Sequence, residues 1–527
     1  MKRPSLLLLS LVPGLTAHVL GDPTAPCPDY SSYAYEKHEP LSKGRFKLAY
    51  QRPVPRCRKF PLAEVEETIV DMRRTIRDPD LFRLFENCFP NTLDTAITWK
   101  GFANKTSETD EDEELTYITT GDINAMWLRD SANQLSSYRA LLRRNASTSS
   151  LASLFRGTIN LQSRQILSAP HCNAFHPPPE SSLLTPFALA LSPAATDIFA
   201  PLPPPSANVY ECKYELDSLA AFLQLSHEYH AATHDTSFFA HSPTWLRAVT
   251  ALLDTAAALT GGTYHPDGRV APPGYIFQRS TTSASETLAN SGMGAPVKGG
   301  TGMVRSAFRP SDDACVFPLF VPGNMMLARY LGACAGIVEA VGGRGELAGR
   351  MRAMAEGVRA GVERYGRVQH RGFGRVYAYE VDGFGGVNVM DDANIPSLLA
   401  APMFGYLDRD DPIYQNTRRF ILSRDNPYYM TGPVLNGTGG PHVGPGMAWP
   451  MSLIVRILTT DDDAEIVDSL RQLLSSTAGL GLMHEAVNTH RATSWTRQWF
   501  SWANGLFGQM ILDLKQRKPH LLERSYQ

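Results

Sequence analysis

Acids, amides, arginines and large aromatics recur together at short spacing along this chain. Thr119–Gln134 reads TTGDINAMWLRDSANQ and sets Asp122, Trp127, Arg129 and Asp130 just ahead of a helical run. Lys213–Leu219, KYELDSL, brings Glu215 and Asp217 to a helix start, and Phe308–Asp313, FRPSDD, joins Arg309 to Asp312 and Asp313 in a Pro turn. Asp391, Asp392 and Asn394 in MDDAN, His442 in GGPHV, and Glu485 in GLMHE followed by TRQWFSW complete the series. Such a mixture suits a sugar. Carboxylates accept hydrogen bonds from adjacent hydroxyls, guanidinium groups donate to them, and an aromatic face covers the C–H side of a pyranose. Hydrolysis of a glycosidic bond adds a demand for two carboxyl groups, one protonated to aid the leaving oxygen and one ionised to activate water or attack the sugar. The chain offers several acids in apolar or aromatic company, and composition alone does not select two.

Each motif also has a purely structural reading. Asp-Asp before a helix caps it, Glu215 and Asp217 favour a helix N-terminus through the dipole, and Arg129-Asp130 alone is an ordinary ion pair. The functional case rests on the set. A metal site is the weaker alternative: of His227, His230 and His234 in HEYHAATH, the His that follows His227-Glu228 comes three residues on and not the four that H-E-x-x-H needs, and His484-Glu485 has no second His at that spacing. Nucleophile elbows, a P-loop and a dinucleotide fingerprint are missing as well. The expectation is a site without metal or cofactor.

The elements that must position these residues are mostly helices. Val65, Ile69, Met72 and Ile76 follow one face, as do Leu347, Met351, Met354 and Val358, and again Ile466, Leu470, Leu473 and Leu474. Further helical runs are predicted near 78–88, 131–144, 148–166, 215–232, 240–260, 314–341, 395–403, 411–423, 446–459 and 502–516, about a dozen in all. Strand-like alternation is confined to Arg375–Val381, a hairpin inserted between helices. Two stretches of low complexity, 176–206 and 278–300, read as long surface loops, and Asn104–Glu114 as a solvated acidic one. With no repeat of fixed period, the pattern leaves open a closed ring of paired helices or a globular bundle.

Charge and targeting narrow the setting. Fifty Lys and Arg face 52 Asp and Glu with no basic stripe, which argues against nucleic acid. Lys2 and Arg3 precede LLLLSLVPGLTA, the anatomy of a signal peptide over 1–21, and no later stretch is apolar enough for stable membrane insertion. The expected location is therefore outside the cell or in the lumen of the secretory pathway. Acceptor triplets at Asn104, Asn145 and Asn436 agree with export, and of seven cysteines at least one must stay unpaired.

In their order along the chain, TGDINAMWLRDSANQ, KYELDSL, FRPSDDA, NVMDDANIPSLL, GLMHEA and TRQWFSWANGLFG resemble glycoside hydrolase family 125, the exo-acting α-1,6-mannosidases, and its fungal secreted members in particular. The resemblance runs from about Phe60 to near the C-terminus. It implies an all-α fold, an (α/α)6 barrel with long inserted loops and a small β-hairpin, forming one catalytic domain over 60–527 after an extension at 22–59. It also implies inverting, metal-independent removal of terminal non-reducing α-1,6-linked mannose from mannans, oligomannosides or N-glycans. By motif position it puts the general acid on Asp217 and the general base on Glu485. Asp122, Trp127, Arg129, Asp130, Arg309, Asp313, Asp392, Asn394 and His442 follow as candidate contacts to the sugar. Ala486 departs from the family pattern, which has Ser or Gly there, and the two loops flank site motifs, so linkage preference is less tightly implied than reaction type. The other readings are an (α/α)6 glycosidase of different sugar specificity and a glycan-binding relative without turnover.

Overall fold

The structure, a computed structural model, describes residues 26–104 and 112–527. The signal peptide expected at 1–21 and most of the acidic loop lie outside the described residues. Among the described residues, twelve helices of nine residues or more carry the fold: α1 (Ala63–Thr75), α2 (Pro79–Cys88), α3 (Leu128–Ser136), α4 (Leu151–Ser168), α5 (Leu216–Thr233), α6 (Pro243–Ala258), α7 (Val321–Val341), α8 (Gly345–Gly361), α9 (Pro412–Ile421), α10 (Pro450–Leu458), α11 (Asp463–Ser475) and α12 (Ser501–Arg517).

Burial sorts these helices into two kinds. Along α2, α3, α4, α5, α7, α10 and α12 most residues are buried, as expected of helices enclosed on most sides. In α1, α8, α9 and α11 only one stripe is buried, and in α1 that stripe is Val65, Ile69 and Met72. α5 packs between α3 and α7, α12 packs on both α10 and α3, α4 packs on α3, α5 and α6, and α8 and α11 lie against α7 and α10. One large apolar core joins them all.

Two expectations need correction. The run at 395–403 is not a helix but a succession of buried turns. The carboxylate of Asp391 accepts from the Leu398 and Leu399 amides at 2.9 and 3.0 Å, so backbone groups that a helix would pair internally bond to a side chain instead. Strand structure is also not confined to 375–381. Arg367–His370 does pair with Gly374–Tyr377 as a hairpin, but seven small sheets of two or three strands occur among the described residues. Most of these strands span only two to five residues, too few to show alternation. Glu114–Ile118 is buried at every position, which erases the pattern altogether.

The two low-complexity segments fold against each other. Ile198–Ala200 pairs with Ile276–Gln278, and the Arg279 guanidinium grips Asp197 at 2.8 and 2.6 Å and Glu211 at 2.7 Å. The Asp197 side chain is only 2% exposed, so Asp197→Ala is expected to loosen this joint at a cost of ~1–3 kcal/mol while Glu211 keeps its arginine. Limited proteolysis within 183–202 should then become faster, and an unchanged digestion rate would mean that strand pairing suffices without the ion pair.

Cysteines close two loops, Cys27–Cys57 and Cys172–Cys212, while Cys88, Cys315 and Cys334 are buried thiols. No helix among the described residues is long and apolar enough to cross a membrane. The two disulfides are consistent with a secreted or lumenal protein. Of the acceptor asparagines, Asn104 and Asn145 are exposed and Asn436 is half-buried.

Candidate active site

A small cleft opens where the inner helices begin. Trp127, Glu215, Trp449 and Phe500 are the N-cap residues of α3, α5, α10 and α12, and none of their side chains caps its helix. Ser, Thr, Asn or Asp at an N-cap is worth ~1 kcal/mol, so four buried helices do without this interaction where their starts converge. The residues placed there instead are three large aromatics and one acid.

Arg129, in the first turn of α3, organises one wall. Its Nη1 donates to Glu215 Oε2 at 2.6 Å and to Asp217 Oδ2 at 3.2 Å, and its Nη2 lies 3.2 Å from Asp130 and 4.0 Å from Asp312 Oδ1. Behind it, Asn173 fixes the backbone entry to α5. Its Oδ1 accepts from the Lys213 amide at 3.0 Å, and its Nδ2 donates to Glu211 and Glu215, each at 3.1 Å. The Cys172–Cys212 disulfide flanks both Asn173 and Lys213, so a covalent bond holds the two segments that carry them. Lys213 Nζ in turn donates to the Asp312 carbonyl at 2.9 Å.

Asp312 sits in the turn after Arg309 with φ +67°, the left-handed region that Asp tolerates better than most side chains. The turn is closed by its amide donating to Arg309 O at 3.0 Å and by the Arg309 amide donating to Asp313 O at 2.8 Å. Burial works to raise the Asp312 carboxyl, but Lys213, Arg129 and His442 overcome it and hold it down to about 2. Burial pushes both Asp130 and Asp217 up to about 6 against the pull of Arg129. Glu215, wholly enclosed, is pushed well above the carboxylate range by burial, with Arg129 opposing.

Glu485 belongs to the opposite wall, in the loop ahead of Val487–Asn488, a strand that pairs with Met447–Ala448 and Arg491–Trp495. Its Oε2 accepts from Thr496 Oγ1 at 2.7 Å, and Oε1 lies 3.5 Å from Arg497 Nε. Arg497 reaches Asp122 at 3.1 Å on its other side. His484 stacks on Trp495, bonds through Nδ1 to the Gln498 carbonyl at 2.6 Å and is lowered to about 4 by burial, so it is neutral at physiological pH.

Residues 78–512 match the sequence profile of the metal-independent α-mannosidases, glycoside hydrolase family 125. The chain belongs to that family. It is 45% identical over 511 residues to the meiotically up-regulated gene 157 protein of Schizosaccharomyces pombe, covering 97% of this chain and 96% of the relative. Among solved structures it is similar to a Streptococcus pneumoniae metal-independent α-mannosidase in a non-productive complex with α-1,6-mannobiose. That match has a TM-score of 0.74 and 32% identity, covering 86% of this chain and 99% of the other.

In this α-mannosidase the cleft gathers Trp127, Arg129, Asp130, Asn394, His442 and Glu485 from the sequence-predicted set. Asp217 is not among its lining residues; its carboxylate is fully buried behind Arg129. Asp122 lies at the rim, exposed and tied to Arg497. Arg309 is buried and turned into a two-bond clamp on Glu380 at 2.6 and 3.0 Å. Asp313 and Asp392 share the Ser311 hydroxyl at 3.1 and 2.8 Å beneath the cleft floor.

Asp312, Trp449, Phe500 and Arg497 line the cleft and were not singled out as site residues by sequence reasoning. Their signal was present in helix starts with an aromatic where a cap belongs and in a second acid beside Asp313. The tryptophans of TSWTRQWFSW divide differently. Trp499 and Trp502 are core, while Trp495 is half-buried against His484.

Proposed function

We propose that this chain is an inverting, exo-acting α-1,6-mannosidase of the secretory pathway that releases terminal non-reducing mannose, built as an (α/α)6 barrel over 60–527. The observation that carries the reading is one small cleft of an α-mannosidase with Asp312 on one wall and Glu485 on the other. The similarity to a pneumococcal enzyme crystallised with α-1,6-mannobiose supports the linkage. The mostly buried helices, with one-sided helices such as α8 and α11 laid against them, support the barrel. Residues 26–59 belong with the same unit in this reading, since Tyr30 meets Trp499 edge-on at 4.8 Å and Arg52 binds Asp94 at 2.8 Å.

In this mechanism Glu485 takes a proton from a water molecule that attacks the anomeric carbon. The glycosidic oxygen leaves on the opposite face with a proton from Asp312, and the product forms as the β-anomer. Arg129, Asp130, Asn394 and His442 hold hydroxyls, while Trp127, Trp449 and Phe500 cover the apolar face. Asp312 is assigned the acid role, and not Asp217, because about a quarter of its side chain is open to the cleft (27%) whereas that of Asp217 is enclosed (0%). Asp217 then serves as a fixed partner of Arg129.

Leaving-group dependence tests the assignment. Asp312→Asn is expected to lose ~10²–10⁴-fold in kcat on α-1,6-mannobiose. On 2,4-dinitrophenyl α-mannoside, whose leaving group needs no proton, the loss should be far smaller. If Asp217→Asn shows that split and Asp312→Asn does not, the acid role moves to Asp217.

A further inference from the structure

Four carboxyl groups, of Asp130, Glu215, Asp217 and Asp312, surround one guanidinium, that of Arg129. The next cation, Lys213, is divided between the Asp312 carbonyl and Glu211 at 3.6 Å. So many buried anions cannot all be compensated by one or two cations, and the cluster must retain protons. One place for a proton is indicated by an unpartnered atom. Asp312 Oδ1 is buried with no hydrogen-bond partner, and it converges with the Glu215 carboxyl on the same guanidinium, at 4.0 and 2.6 Å. Two carboxylates can bond to each other only through a proton held between them.

We propose that Glu215 and Asp312 share this proton in the resting enzyme and that Glu215 is the positioning residue that loads Asp312 for delivery to the glycosidic oxygen. The inference rests on the acid role of Asp312 given above. Glu215 does not line the cleft and is not itself a catalytic residue. It is suited to keep a proton. Its Oε2 already accepts from Arg129 at 2.6 Å and Ser218 at 3.2 Å, and its Oε1 accepts from Asn173, so the side chain is fixed in one orientation. Burial favours its neutral form over the charged one, whereas Lys213, Arg129 and His442 favour the charged form of Asp312.

Substrate binding tips the balance. A sugar in the cleft strips water from the open side of Asp312, which disfavours its carboxylate and draws the proton across. As the C1–O bond breaks, its electron pair goes to the leaving oxygen, which takes the proton from Asp312, and Asp312 takes the one from Glu215. Glu485 gains a proton from the attacking water. The resting state returns when solvent carries one proton away from Glu485 and one back to the Glu215–Asp312 pair, so nothing is consumed but water.

The pH dependence follows in sign. Activity requires the pair to hold its proton, so kcat falls on the alkaline side as that proton is lost. Around the pair stand Arg129, Asp130, Lys213, Asp217 and Glu211, with His442, Arg497 and Glu485 facing Asp312 across the cleft. Glu215→Gln removes the storage site and leaves Asp312 to hold a proton unaided against Lys213 and Arg129. We expect the alkaline limb of kcat on α-1,6-mannobiose to move down by at least one pH unit. At neutral pH kcat should fall ~10–100-fold with KM nearly constant, and the loss on 2,4-dinitrophenyl α-mannoside should be clearly smaller.

A purely structural role would lower the amount of folded enzyme without moving the limb, and an unmoved limb overturns the proposal. If Glu215→Gln does not fold, wild-type enzyme carrying isotope-labelled glutamate decides by infrared spectroscopy. A protonated glutamate carboxyl in the free enzyme at neutral pH is expected, and finding every glutamate ionised overturns the proposal. Asp312→Asn distinguishes the two levels of the argument. If it shows no leaving-group split, the acid assignment falls and the proton sharing with it. If it shows the split while Glu215→Gln leaves the limb in place, only the role of Glu215 falls.

Discussion

Glu485→Gln is expected to reduce kcat by ~10²–10⁴-fold, with activated and unactivated mannosides affected alike. A base that activates water is needed whatever the leaving group, so the dinitrophenyl substrate that spares an Asp312 variant should not spare this one. Glutamine is nearly isosteric, its amide oxygen can keep the 2.7 Å bond from Thr496, and Arg497 retains Asp122 as a partner. The cleft should therefore keep its shape, and KM for α-1,6-mannobiose should change little. Steady-state kinetics on both substrates and a melting curve check this. A variant within tenfold of wild-type turnover would remove Glu485 from the role of base.

The second large effect concerns stability. Arg129 is 4% exposed and is the shared cation of Glu215, Asp217 and Asp130. Arg129→Met fills much of the same volume but leaves these acids without compensation, and removing one partner of a buried ion pair costs ~3–5 kcal/mol. The sign with pH is defined. Burial already raises Asp130 and Asp217 to about 6, and loss of Arg129 raises them further. A carboxyl whose folded pKa exceeds its unfolded value favours folding when protonated, and that contribution is lost as pH rises through the folded value. The variant should thus be closest to wild type below about pH 4 and furthest from it above about pH 6. Urea denaturation at both ends of this window reads the effect directly, and a penalty independent of pH would mean that packing of the arginine stem, not its charge, is what matters.

How much of this was legible in the sequence varies with the physics behind each signal. One-sided helices such as α1 and α11 announce themselves, because a buried stripe and an exposed face produce a 3.6-residue period. The fully enclosed α5 is visible only as a long apolar run with a hydrophobic face that wanders. The segment 395–403 misleads for a related reason: its buried apolar side chains imitate a helix while its backbone is bonded to Asp391. Short strands leave no period to detect.

The site followed similar limits. Trp127, Arg129, Asp130 and Glu485 stand out since charged or amphipathic residues in apolar company are costly without a task. Depth is what the sequence does not encode. Asp217 and Asp312 look alike as acids beside a helix start or a turn, and only the fold reveals that one is sealed behind Arg129 while the other faces the cleft. Arg309 illustrates the converse, a conspicuous arginine in a site motif whose partner is the remote Glu380.

The most direct test of the account is proton NMR of the purified enzyme acting on α-1,6-mannobiose in excess chelator, with the anomeric signals followed before mutarotation. The account predicts that β-mannose appears first and that α-mannose grows in only as the sugar equilibrates. Release of α-mannose first would contradict inversion and the pairing of Asp312 with Glu485, and no release at all would contradict the α-1,6-mannosidase reading itself.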